Sequence, residues 1–174
     1  LVTGGTGGVG SVAVKLLAQL GYEVAAVTGK EDKHDFLRSL GASEILSREE
    51  ANAGSDKPML AERWGGVVDT VGGDILFNGV KSLRYGCSLA ACGLVAAPVF
   101  SASVLPFILR HVNLLGIDSV QLPIEEKTEI WHRLGDEWLM DLSELEEVLT
   151  LDDVSDAIDR ILAGKMVGRG VVHL

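Results

Sequence analysis

The chain has 174 residues, 47% of them hydrophobic and 23% charged, which describes one globular domain, or one with a small extra piece, and excludes disorder, collagen and coiled coil as the main state. A formal net charge of −10 argues against a nucleic-acid partner or an anionic membrane surface, because both need a basic face. Cys87 and Cys92 are too few for a disulfide framework and are not spaced as CxxC. A reducing, cytoplasmic compartment and no structural zinc are expected. No apolar run approaches the ~20 residues of a membrane span, and no signal peptide is expected ahead of the first motif.

Leu1-Val2-Thr3 reads as the last part of a buried strand, directly ahead of a glycine-rich turn over residues 4–10. A chain opening inside a mid-sheet strand is expected to be a fragment, with part of the active site upstream. Val12, Leu16, Leu17 and Leu20 recur at helical spacing and predict a helix over 11–20, stopped by Gly21. A buried strand is predicted over 22–27, a helix over 32–40 ended by Gly41, and a short strand at 44–46. Residues 47–57 read as a polar loop, and 59–63 as a helical turn. Strands follow at 66–70, 87–92 and 112–117, with helices at 75–83, 106–110 and 124–138 between and after them. The acidic run Asp141 to Glu147 reads as a solvated helix face. The tail predicts a strand at 148–151, a helix at 152–163 and a strand at 170–173. Alternating strands and helices, with nearly continuous apolar strands, predict an α/β fold: a doubly wound parallel sheet of the Rossmann type, covered on both faces.

Gly5, Gly7 and Gly10 match G-x-G-x-x-G between a predicted strand and a predicted helix, the context that gives the pattern meaning. The first glycine permits the turn, the second leaves room for a pyrophosphate, and the third lets helix and strand pack closely. Free amides at the helix start then hold phosphates. Dinucleotide binders that use NAD usually carry an acid at the tip of the next strand. Thr28-Gly29-Lys30 stands there instead, which suits a 2′-phosphate and favours NADP, although Glu31 and Asp32 follow at once. Arg48 either reaches the adenine end or is an ordinary surface arginine. Leu94 is a candidate to pack on nicotinamide and Ser119 to bond its carboxamide; the alternatives are core packing and a turn. The four histidines, Asp69, Cys92 and the tryptophans form no catalytic constellation.

The stretch 2–11 resembles the cofactor loop of medium-chain dehydrogenases and reductases. The whole chain resembles their NADPH-dependent acryloyl-CoA reductase branch, also labelled quinone oxidoreductases. The resemblance is carried by Leu20-Gly21-Tyr22-Glu23-Val24, Asp69-Thr70-Val71-Gly72-Gly73, Ala91-Cys92-Gly93-Leu94, Leu105-Pro106-Phe107-Ile108-Leu109-Arg110, Gly116-Ile117-Asp118-Ser119-Val120 and Gly168-Arg169. It implies a two-domain enzyme whose N-terminal GroES-like barrel is absent here. Residues 1–140 would be the NADP-binding domain, and 141–174 a segment returning to the barrel. The cofactor contacts it implies are Gly7, Gly8, Val9 and Gly10 at the pyrophosphate, Thr28, Gly29 and Lys30 at the adenosine phosphate, and Leu94, Ile108 and Ser119 along the nicotinamide half; Thr6 in the loop and Arg48 complete the candidate cofactor residues. Gly5 departs from the alanine common in relatives. Glu44 stands where some relatives carry a base, which counts slightly against NADP. The branch uses no zinc, and the resemblance places no general acid in this chain, so no catalytic residue is assigned. The implied reaction is reduction of the C=C bond of an enoyl thioester such as acryloyl-CoA. A quinone is the alternative oxidant, and a non-catalytic nucleotide-binding module the alternative class. Edge pairing through 112–117 would make a homodimer.

Overall fold

The computed structural model describes all 174 residues. Its α-helices are α1 (Gly10–Gln19), α2 (His34–Ser39), α3 (Arg48–Asn52), α4 (Gly73–Lys81), α5 (Leu105–Arg110), α6 (Ile124–Gly135) and α7 (Val154–Leu162). Its strands are β1 (Val24–Thr28), β2 (Ala42–Ser47), β3 (Val67–Asp69), β4 (Ser88–Ala91), β5 (Asn113–Gly116), β6 (Glu146–Leu149) and β7 (Arg169–Val172).

The opening segment 1–3 joins two halves of one parallel sheet. Val2 N donates to Ala25 O at 2.8 Å, and Val27 N donates to Val2 O at 2.8 Å. On the other side Thr3 N donates to Val68 O at 3.0 Å, and Val68 N to Leu1 O at 2.9 Å. The spatial order is therefore β2, β1, opening segment, β3, β4, β5, every pairing parallel. The chain order reverses direction at the opening segment, which creates the crevice where ligands of doubly wound sheets sit. β6 and β7 pair parallel in a sheet of their own, crossed over by α7.

Burial follows the same division. Val2, Val14, Val24, Ala26, Leu37 and Leu40 pack under α1 and α2, while Val67, Leu76, Phe77, Val80, Leu83 and Leu89 pack under α4. Every residue of β1 is buried, as a strand covered on both faces requires.

The structure departs from the sequence expectations in three places. The polar stretch 47–57 contains α3, held by a capping box in which Glu50 N donates to Ser47 Oγ at 3.1 Å and Ser47 N donates to Glu50 Oε2 at 2.8 Å. Residues 59–63 form no helical turn. They run along the end of α4, where Leu60 N donates to Lys81 O at 3.2 Å and Arg63 N to Ser82 O at 2.8 Å. Carbonyls at a helix end lack intrahelical donors, and this segment supplies them. The acidic run is no helix face. It forms a 3-10 turn over Ser143–Leu145 and then β6, with Glu144 paired to Lys15 and Glu147 to Arg160 at 2.6 Å.

The irregular stretch after α3 is tied down from α4. Lys81 is buried, and its Nζ donates to Gly54 O at 3.2 Å, Ser55 O at 3.0 Å and Lys57 O at 3.0 Å. Burial holds its ammonium below the usual lysine range. Lys81→Met keeps the apolar stem and leaves those carbonyls without their donor. It is expected to cost about 1–3 kcal/mol, read as a lower urea midpoint and faster proteolysis within 53–60. An unchanged midpoint would show the clamp to be idle.

Candidate functional site

The glycine loop leaves the opening strand and enters α1 at the carboxyl ends of the central strands. Gly5 N donates to Val27 O at 2.9 Å and Gly7 N to Gly4 O at 2.9 Å, which closes the turn. α1 has no side-chain cap, and the amides of Gly8, Val9 and Gly10 donate to no backbone carbonyl. These are the orphan donors of a helix start, and the helix dipole makes their surroundings favourable to an anion. A Cβ on Gly10 would stand 2.2 Å from Gly4 O, so only glycine allows the loop to fold this tightly. A Cβ on Gly7 would meet only Gly4 O, at 3.3 Å, and otherwise open space. Backbone on that side is open to an approaching group.

The end of β1 lies beside this loop. Thr6 Oγ1 and Thr28 Oγ1 are 3.3 Å apart and buried, and Lys30 N donates to Thr28 Oγ1 at 3.1 Å. Lys30 Nζ donates to Met166 O at 2.6 Å and to Thr6 Oγ1 at 3.4 Å. Arg48 opens α3 and lies against Gly29, where a Cβ would be 2.5 Å from its Nε. Burial first, and Arg48 second, hold Lys30 below the usual lysine range. Of the acids that follow, Asp32 is paired with Lys33 at 3.0 Å. Glu44 lies on the amino-terminal half of β2 and pairs with Arg63, so it does not face this cluster. A separate cavity of about 740 Å³, lined in part by Glu44, Arg63 and Gly66, opens at the amino-terminal ends of the strands, far from the loop.

The remaining candidates are exposed. Leu94 is 65% and Ile108 69% exposed, on the segment after β4 and on α5 respectively. Ser119 is exposed in a turn after β5, shaped by Asp118, whose Oδ1 accepts from Val120 N at 2.8 Å and Gln121 N at 3.0 Å.

Residues from the far end of the chain also reach the site. Gly168 N donates to Thr6 O at 3.0 Å, and a Cβ on Gly8 would be 3.1 Å from both Gly168 O and Arg169 Nε. Arg169 is exposed and belongs to none of the ion pairs. Gly168-Arg169 is one of the stretches that carry the resemblance, with no site role among the sequence expectations. Nothing local marks it, because its neighbours in space are about 160 positions away.

Residues 8–135 match the family model described as zinc-binding dehydrogenase. The chain belongs to that family. Within it, the chain is 47% identical over 175 residues to the acrylyl-CoA reductase AcuI of Ruegeria pomeroyi, covering 100% of this chain and 53% of that protein. The crystal structure of Escherichia coli K-12 YhdH with bound NADPH superposes with a TM-score of 0.93 at 39% identity, over 98% of this chain and 53% of that one. The structure of Bacillus subtilis YhfP with NAD bound gives 0.94 at 40% identity, over 99% and 53%. The chain thus spans about half the length of the relatives it matches. It is the α/β, Rossmann-type half of a medium-chain dehydrogenase/reductase. Despite the family's description, no group of three or more His, Cys, Asp or Glu in this chain could hold a metal ion, so its residues do not fit a zinc site.

Gly10→Ala is expected to cost about 1–3 kcal/mol through the forced contact with Gly4, seen as a lower thermal midpoint. A midpoint equal to that of the parent would contradict the tight loop.

Proposed function

We propose that this chain is the NADP-binding part of an oxidoreductase that reduces the C=C bond of an enoyl thioester such as acryloyl-CoA. The observation that carries the reading is the pairing of two features at one crevice. Free amides of Gly8, Val9 and Gly10 lie in the loop that Lys30 touches at Thr6, and Arg48 lies against Gly29 at the end of β1, where no acid stands at the Thr28-Gly29-Lys30 tip. The kinship with a protein named acrylyl-CoA reductase supports the substrate class.

The residues present fit the cofactor. Gly7 gives the diphosphate room against the backbone, and the amides of Gly8, Val9 and Gly10 donate to it. Lys30, with Thr28 and Gly29 beneath it and Arg48 across Gly29, presents cations to a 2′-phosphate. Arg169, lying over Gly8, adds a further cation beside the diphosphate. Leu94 and Ile108 give apolar surface for the nicotinamide half, and Ser119 a hydroxyl for its carboxamide. When bound, NADPH supplies the hydride that reaches the β-carbon of the activated C=C bond. This chain's part is to bind, to orient and to keep the ring in place. Residues 141–174 are read as the segment that rejoins the substrate-binding domain. The two free cysteines, Cys87 and Cys92, support reading the protein as one of a reducing, cytoplasmic compartment. No helix is long and apolar enough to cross a membrane.

The substrate test is a screen of the complete gene product with NADPH, offering acryloyl-CoA and a benzoquinone side by side. Turnover of acryloyl-CoA is expected. Turnover of the quinone alone would favour the quinone oxidoreductase reading, and no turnover of any enone, quinone or acyl-CoA would leave a nucleotide-binding module.

Lys30→Ala is expected to weaken NADPH more than NADH by about 1–2 kcal/mol, the scale of a hydrogen bond to a charged group. Calorimetry with both nucleotides checks this, and equal losses would remove Lys30 from 2′-phosphate recognition. The pH dependence has a definite sign. Lys30 is cationic below its pKa, and that pKa lies below the usual lysine value. The preference for NADPH is therefore lost as pH rises through the Lys30 pKa, sooner than an ordinary lysine would allow.

β5 is the outer strand of the sheet, with Leu115 49% and Ile117 52% exposed. An unpaired apolar edge invites a second copy, so a homodimer is expected by light scattering at micromolar concentration. Leu115→Lys should shift it toward monomer, and a monomeric parent would sink the assignment.

A further inference from the structure

Asp69 is fully buried, yet it is ionisable and belongs to no ion pair. Its two oxygens serve different parts of the crevice. Thr3 Oγ1 donates to Oδ1 at 2.6 Å, and Gly72 N donates to Oδ2 at 2.8 Å. The Thr3 hydroxyl in turn accepts from Thr70 N at 2.9 Å, while Thr70 Oγ1 donates to Thr3 O at 2.8 Å. Thr3 leads directly into the glycine loop. A Cβ on Gly4 would be 2.3 Å from Thr70 Oγ1, so the two turns touch.

The turn after β3 is bonded onward to the loop that bears Leu94. Cys92 N donates to Asp69 O at 2.9 Å, and Ala96 N to Val71 O at 2.8 Å. A Cβ on Gly93 would lie 1.9 Å from Thr70 O, and one on Gly72 3.1 Å from Leu94 Cα. Gly72 and Gly73 both have positive φ, +71° and +64°, which lets the turn fold back over the carboxylate. An unbroken chain of contacts therefore runs from the diphosphate loop through Thr3, Asp69 and the turn 70–73 to Leu94.

We propose that Asp69 is a positioning residue that, together with Thr3, sets the spacing between the glycine loop and the loop carrying Leu94, and so between the two ends of a bound dinucleotide. This rests on the nucleotide reading above. The carboxylate accepts at both oxygens here, from a hydroxyl on one side and an amide on the other. Asparagine keeps one of these acceptances and replaces the other oxygen with an N–H, so the hydroxyl of Thr3 and the amide of Gly72 are no longer both bonded as donors. Burial pushes the Asp69 carboxyl above the usual carboxylate range, with the Thr3 hydroxyl and the Gly72 amide opposing that shift. The group is thus held at a cost, which an apolar residue would avoid.

The test compares two ligands of different length. NADPH spans both loops, whereas 2′,5′-ADP occupies only the adenosine end. Asp69→Asn and Thr3→Val, each checked for a native circular dichroism spectrum, are measured by calorimetry with both ligands in the complete gene product. NADPH is expected to weaken about ten-fold, the factor of a lost hydrogen bond to a charged group. Binding of 2′,5′-ADP should stay unchanged, and Thr3→Ser should restore NADPH. If Asp69→Asn fails to fold, Thr3→Val decides alone. Equal weakening of both ligands, or no weakening of NADPH, overturns the proposal. A parent protein that binds neither ligand overturns the nucleotide reading instead.

Discussion

The backbone of two residues, Val2 and Thr3, holds this molecule together. The amide and carbonyl of Val2 bond to β1 on one side, and the Thr3 amide and the carbonyl of the preceding Leu1 bond to β3 on the other, so a single extended segment closes a sheet that would otherwise be two separate pieces. Val2 is buried in the core under α1, and Leu1 packs against the core under α4. The reversal of chain order at this segment also creates the crevice. The glycine loop emerges there because the strand before it is central, and a central strand has helices on both faces and free space only at its end.

That placement explains why the cluster of polar groups tolerates burial. Thr3, Thr6, Thr28 and Asp69 are all buried, at the carboxyl ends of the central strands. Each is bonded to a neighbour from a different element, as buried polar groups must be. A network of this kind fixes loops more sharply than apolar packing does, because a hydrogen bond has a direction and a contact between methyl groups has little.

The parts of the fold legible in the sequence were those with local causes. The spacing of Val12, Leu16 and Leu17 marked α1 within a residue of its observed start, and the apolar run before Thr28 marked β1. The glycine loop and Thr28-Gly29-Lys30 were legible for the same reason: each is contiguous, and its chemistry follows from residue types in order. α3 went unread although Ser47 and Glu50 carry the capping-box spacing, because the surrounding composition is polar and turn-like. Arg48 gains its place against Gly29 only through that helix. The course of 59–63 is set by carbonyls at the end of α4, and the acidic run by Lys15 and Arg160, partners that no window of neighbouring residues contains. The crossing of Met166, Gly168 and Arg169 over the glycine loop is the extreme case, since it depends on how the last strand closes over the first loop.

Charge shows why local geometry outranks composition. The chain carries a net charge of −10, which by itself would repel a dinucleotide phosphate. Several acids are nevertheless engaged with cations close by: Glu144 with Lys15, Glu147 with Arg160, Asp32 with Lys33, Glu44 with Arg63. Screening limits exposed charges to about 8 Å at physiological ionic strength. Arg169 beside Gly8, Lys30 beside Thr6 and Arg48 beside Gly29 therefore weigh more in the local potential of the crevice than the distant, paired acids do. An overall acidic protein can hold a phosphate tightly when its cations converge on one helix start and its acids are paired elsewhere.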